Sequence, residues 1–192
     1  MILELARKLT SKIYPEIDIE QAELYAYGFF ILLSKGLSVV EVLLSGIVLH
    51  NIWDAILFYF VFTPLREYSG GIHARKEKTC IFCTALALFL SIAGIKLLET
   101  TVGCVIQSAF LIVGTSAIFH FSPMDTNEKP LNEDGHVIYG QKSKCLCIVA
   151  DLFAVLSYIF GLNSIMNAVS MAVALEGILL IAGGLQREKL LS

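Results

Sequence analysis

Long apolar runs, broken by a few short charged stretches, set the pattern of this chain. Cys80 to Thr100, Val102 to Phe121, Cys145 to Leu162 and Ser164 to Leu185 each approach the roughly 20 residues that cross about 30 Å of hydrocarbon as helix. These runs pair into two hairpins. Ala22 to Thr63 is too long for one span, and Gly36 ahead of Leu37-Ser38 predicts a break between a short helix and a second one. A competing cut at His50-Asn51 leaves about 13 residues up to Thr63, only about 20 Å of helix, which suits a re-entrant piece rather than a crossing. The expectation is an all-α integral membrane protein with about six membrane-embedded helices.

Ahead of these runs, Leu5, Leu9 and Ile13 recur at helical spacing with Arg7, Lys8 and Lys12 between them. That pattern predicts an amphipathic helix over 1–20 lying in the membrane interface, with a helix packed on the bundle as the alternative. No repeat or low-complexity tract interrupts the chain, so 1–192 reads as a single membrane domain whose long hydrophilic connections are 66–79 and 122–144.

Composition agrees with lipid as the solvent. The 192 residues are 56% hydrophobic and 16% charged, with a mean hydropathy of +0.74. Met1 to Glu20 mixes charge with apolar residues and lacks a signal-peptide pattern, so the spans are expected to remain in the mature protein. A net charge of −3 without a basic stripe excludes nucleic acid as a partner. With both termini inside, Arg7, Lys8, Lys12, Arg66, Arg75, Lys76, Lys78, Lys129, Lys142, Lys144, Arg187 and Lys189 all fall on the cytoplasmic side. Lys35 and Lys96 are the exceptions, near predicted outer ends where their ammonium groups can snorkel.

The chemistry concentrates in the charged, glycine-broken island from Arg66 to Cys80. A histidine can take a proton from a thiol and a thiolate can attack a carbonyl, so His73 and Cys80 form the natural nucleophilic pair. On one continuous helix the two would sit about 10 Å apart along the axis, so a helix must begin between them. Thr79 as N-cap would place Cys80 in a first turn whose N–H groups favour a thiolate, and Gly70-Gly71 would let the loop fold back with the imidazole. Arg66, Arg75, Lys76 and Lys78 add positive potential suited to an acidic peptide or carboxylate. Each piece also has a plainer reading: basic residues as topology signal, glycines as loop, cysteine as packing.

Other polar residues offer less. Cys83, Cys104, Cys145 and Cys147 read as packing residues, and five cysteines fit a reducing cytoplasmic face. His50, His120 and His136 are scattered without metal-ligand spacing, so neither a metal nor another cofactor is expected. Asp151 and Glu176 fall at similar depth on either side of the Leu162-Asn163 turn, where they could face each other, share a proton or a partner from another helix, or lie nearer the cytoplasmic interface; a packing and hydrogen-bonding role is the better reading. A small transporter, or a noncatalytic peptide-export or assembly factor, would use the same spans without His73 or Cys80.

The string Pro64-Leu65-Arg66, Gly70-Gly71, His73-Ala74 and then Cys80 resembles the signature of the accessory gene regulator B (AgrB) family, and Ser122 to Pro130 resembles the family's second loop motif. The resemblance covers essentially the whole chain. It implies a membrane endopeptidase, in a bacterial cell membrane with its site facing the cytoplasm, that processes an AgrD-like precursor of a cyclic quorum-sensing peptide. His73 and Cys80 match the family's catalytic histidine and cysteine, and Arg66 and Gly71 match further positions that the family needs. An acyl-thioester on Cys80 would then be captured by a precursor cysteine or serine as a thiolactone or lactone. Arg66, Gly70 and Gly71 would support substrate or oxyanion, Asp125 would orient His73, and the family suggests a homodimer.

Overall fold

The computed structural model describes residues 2–71, 77–98, 103–125 and 131–191. They form seven α-helices: α1 Ile2–Ile13, α2 Ile19–Val48, α3 Ile52–Ser69, α4 Glu77–Leu98, α5 Gly103–Phe121, α6 Glu133–Ile159 and α7 Asn163–Leu191. Two compact units divide the chain, Met1–Glu41 and Val42–Ser192.

In the first unit, α1 stops at Ile13 rather than running to 20, because Pro15 disfavours helical backbone at Tyr14. Its buried face is Ile2, Ala6 and Thr10, while Leu5 and Ile13 of the anticipated apolar stripe are exposed. An Arg7–Glu23 ion pair at 3.1 Å and Tyr14 stacked on Tyr25 at 4.9 Å join α1 to the start of α2.

The expected break at Gly36 does not occur. α2 runs unbroken for 30 residues, about 45 Å, and the chain reverses at His50-Asn51 instead. A glycine inside a helix costs about 1 kcal/mol, less than freeing backbone groups where no water can satisfy them. At the reversal, His50 adopts a positive φ of 52° and the Asn51 N–H donates to Gly46 O at 2.8 Å, which closes the end of α2. The His50-Asn51 cut seemed to leave too short a return because helix was assumed to end at Thr63. In fact α3 continues through Pro64 to Ser69, giving 18 residues and about 27 Å.

The hydrophilic connections are likewise shorter than the charge pattern implies. α3 carries Arg66 in its last turn, and α6 begins at Glu133, where Asn132 Oδ1 accepts from Gly135 N–H at 2.9 Å. Charged residues here extend helices rather than interrupt them, with Glu133 and Asp134 facing the positive end of the α6 dipole.

α7 is the axis of the second unit and packs on α3, α4, α5 and α6. Phe58, Phe62, Leu88, Ile92, Ala168 and Ala172 fill one side of it; Leu65, Ile118, Cys147, Val169, Val173 and Leu180 fill the other. α5 and α7 approach most tightly at glycines, since a Cβ on Gly177 would lie 2.6 Å from Gly114 Cα. Without a hydrophobic drive between helices in lipid, such close backbone contact supplies van der Waals attraction. At the far end of α4, Lys96 Nζ donates to Leu49 O at 2.7 Å, so its ammonium closes the α2 carbonyl end.

Among the described residues, Ile19–Val48, Lys78–Leu98 and Asn163–Gln186 are long and apolar enough to cross a membrane, and Val105–Phe121 is a shorter apolar helix. Gly177→Val is expected to lower the midpoint of detergent-induced unfolding, by about 1–3 kcal/mol from overpacking. Gly36→Ala, whose methyl would meet nothing within 4 Å, should leave it unchanged or raise it.

Candidate active site

The site grows from the last turn of α3. Arg66 sits there, and Gly70 caps the helix with a φ of 80°, its N–H donating to Arg66 O at 3.2 Å. The Arg66 side chain then turns back, and Nη1 donates to the Gly70 carbonyl. Next to it, Gly71 has a φ of 118°, a backbone conformation that favours glycine, and a Cβ there would also displace the Arg66 guanidinium, standing 2.1 Å from Nη1.

The second motif segment closes over this turn. Met124 N–H donates to Ser69 O at 2.8 Å, and Gly70 and Met124 pair as an isolated parallel bridge. A Cβ on Gly70 would lie 2.2 Å from Met124 O, so this approach too requires glycine. Behind the junction, Ser122 Oγ and Ser143 Oγ share a 2.5 Å hydrogen bond that ties the segment to α6. Tyr68 meets the Tyr139 ring at 5.3 Å, with Lys142 Nζ 5.1 Å from the Tyr68 centroid. Two stretches that are more than 50 residues apart in sequence thus become one surface, an order-of-magnitude separation that only tertiary packing can span.

Arg66, Gly70 and Gly71 are therefore in direct contact, and Asp125 follows Met124 at the edge of the same junction. Asp125 Oδ2 lies 2.8 Å from His136 Nε2 in the first turn of α6, while its buried Oδ1 has no hydrogen bond among the described residues. Cys80 is half-buried in the first turn of α4, which begins at Glu77, so Thr79 lies within the helix instead of capping it. The required helix start between positions 73 and 80 is nonetheless present. His73, Arg75, Lys76 and Lys129 lie outside the described residues.

Two partnerships were not anticipated. Glu176 does not meet Asp151: its Oε1 lies 3.9 Å from Arg66 Nη1, and its side chain is completely buried against 23% exposure for that of Arg66. Asp151 instead accepts from Thr115 Oγ1 at 2.8 Å, with Cys147 Sγ at 3.8 Å. The sequence signal was available, because a carboxylate within an apolar run and an arginine at the end of another both need a counter-charge. Of the openings the sequence left, the interhelical hydrogen bond is the one Asp151 takes, and a partner from another helix is the one Glu176 takes. His136 had no such signal, since its contact depends on how 122–125 folds back on α6. Of the remaining cysteines, Cys147 is buried packing, whereas Cys83 and Cys145 lie on outer helix faces; the Cys104 side chain is outside the described residues.

Gly70→Ala should cost about 2 kcal/mol or more in the same unfolding assay, from left-handed strain plus the clash with Met124.

The family model described as accessory gene regulator B matches residues 6–180. An AgrB-like protein of Clostridium perfringens strain 13 is 28% identical over 183 residues, covering 85% of this chain and 80% of that protein. A second AgrB-like protein, from strain SM101, is 26% identical over 152 residues, 70% of this chain and 66% of its own length. No solved structure matches.

Proposed function

The chain belongs to the accessory gene regulator B family, and from that premise we propose that it is a membrane cysteine endopeptidase that trims and cyclises an AgrD-like quorum-sensing precursor. The observation that carries this reading is the Arg66–Gly70–Met124 junction, which joins the two signature segments at the point where the chain leaves α3 for the segment with His73. Cys80 follows in the first turn of α4, where helix N–H groups point toward developing negative charge.

In the proposed reaction His73 takes the Cys80 proton, and the sulfur attacks the carbonyl carbon of the scissile peptide bond. The carbon–nitrogen bond breaks as His73 returns that proton to the leaving amine, which departs with the C-terminal part of the precursor. Arg66 or the first-turn N–H groups of α4 support the oxyanion. An internal cysteine or serine of the precursor then attacks the acyl-thioester, passes its proton to His73, and forms the ring while Cys80 regains its thiol. Exchange of one thioester for another is nearly isoenergetic, so catalysis rests on positioning and on exclusion of water. Asp125, with Oδ1 still open to a donor, supports the imidazole.

The same reading sets the protein in a bacterial cell membrane as a homodimer, with six crossings formed by α2 to α7 and the site on the cytoplasmic face. α1, with Leu5 and Ile13 exposed, rests in the interface. The precursor's cyclisation there needs no metal or other cofactor.

Purified protein in lipid, mixed with a candidate precursor, is expected to show by mass spectrometry an acyl adduct on Cys80. Cys80→Ala and His73→Ala should each reduce cleavage by about a thousandfold or more at unchanged expression. Undiminished cleavage by either variant would sink the reading.

A further inference from the structure

Glu176 is the largest charge burial in the described protein that the proposed reaction does not use. Its side chain has no exposure, and neither carboxylate oxygen makes a hydrogen bond among the described residues. A bare carboxylate held in that state is strongly unfavourable unless a cation compensates it. The cation is Arg66, 3.9 Å away, too far for a hydrogen bond but close enough for a strong Coulomb attraction where water is excluded.

The guanidinium therefore divides its interactions. Its Nη1 hydrogen bond, which is directional, goes to the Gly70 carbonyl, and its charge, which is not, is held by Glu176 on α7. α7 also backs the turn itself: Leu179 O, one helical turn beyond Glu176, would lie 3.5 Å from a Cβ on Gly71. Without the buried charge, Arg66 has less reason to lie across Gly71, and the Gly70 carbonyl loses its donor. Met124 pairs with the same turn through Ser69 and Gly70, so the second segment would loosen with it.

We propose that Glu176 is a positioning residue for the active site: it holds Arg66 across the Gly70-Gly71 turn and thereby fixes the direction in which the chain enters the segment with His73. This rests on the peptidase reading above. It adds a residue from the last helix, far from both signature segments in sequence, to the set that the reaction depends on.

The test uses Glu176→Gln, which keeps shape and removes charge, in the full-length protein in nanodiscs. Two quantities are read: amide hydrogen exchange at Met124, and the kinetics of precursor cleavage. Met124 exchange is expected to speed up at least tenfold, and kcat to fall at least tenfold with KM within threefold of the unmutated value. Asp151→Asn, which removes another acid of the helix bundle, one that accepts from Thr115 and Cys147, is expected to change neither. Exchange at Met124 that is unchanged in Glu176→Gln overturns the proposal, as does an equal effect from Asp151→Asn. If the unmutated protein leaves the precursor intact, the peptidase reading fails on its own, and Met124 exchange still decides whether Glu176 orders the turn.

Discussion

A guanidinium in the last turn of an apolar helix, packed into the bundle, has to be satisfied, and the way Arg66 is satisfied organises this end of the second unit. Its hydrogen bond to Gly70 folds the chain sharply after α3, and its attraction to Glu176 anchors that fold to the central helix. Both glycines follow from it and from its neighbour: Gly71 because Arg66 occupies the space of a side chain, Gly70 because Met124 does. The parallel pairing of Gly70 with Met124 then brings the segment after α5 onto the segment after α3. One buried ion pair and two hydrogen bonds thus set the local geometry in which the proposed nucleophile and base would have to meet.

Elsewhere the bundle relies on packing rather than charge. α7 presents Ala168, Val169, Ala172 and Val173 inward, and the glycine contact with α5 lets two backbones nearly touch. Large apolar side chains such as Leu152, Ile159, Leu97 and Phe82 lie outward instead, as expected where the solvent is hydrocarbon. Several polar residues inside the bundle pair between helices: Gln107 donates to Asn167, Thr115 to Asp151, and Ser164 to Asp54 at 2.5 Å. These contacts resist sliding of one helix along another, because a shift would strand a polar group away from water.

Such a frame would suit the acyl transfer proposed above. The proposed thioester exchange asks little of bond energies and much of placement, so a rigid junction would contribute more than a strong acid or base.

Much of this was legible in the chain. Apolar runs located α4, α5 and α7 within a few residues, because twenty lipid-compatible side chains in a row have few other uses. The glycine pair, Arg66 and Cys80 stood out as a chemical island, and a helix start ahead of Cys80 followed from asking that His73 reach it, although α4 begins at Glu77 and not after Thr79. Gly36 misled, since a glycine's local preference counts for little against a helix's hydrogen bonds in lipid, while Pro64 and Arg66 hid the true length of α3. Hydrophobicity and helical period are local and additive, so the sequence by itself determined where the apolar stretches of the helices lie and what chemistry they carry. Which buried acid answers Arg66, and that Asp125 turns to His136, depend on distances between residues far apart in the chain; only the packed tertiary structure decided them, because counter-charges pair by position in space and not by order in sequence.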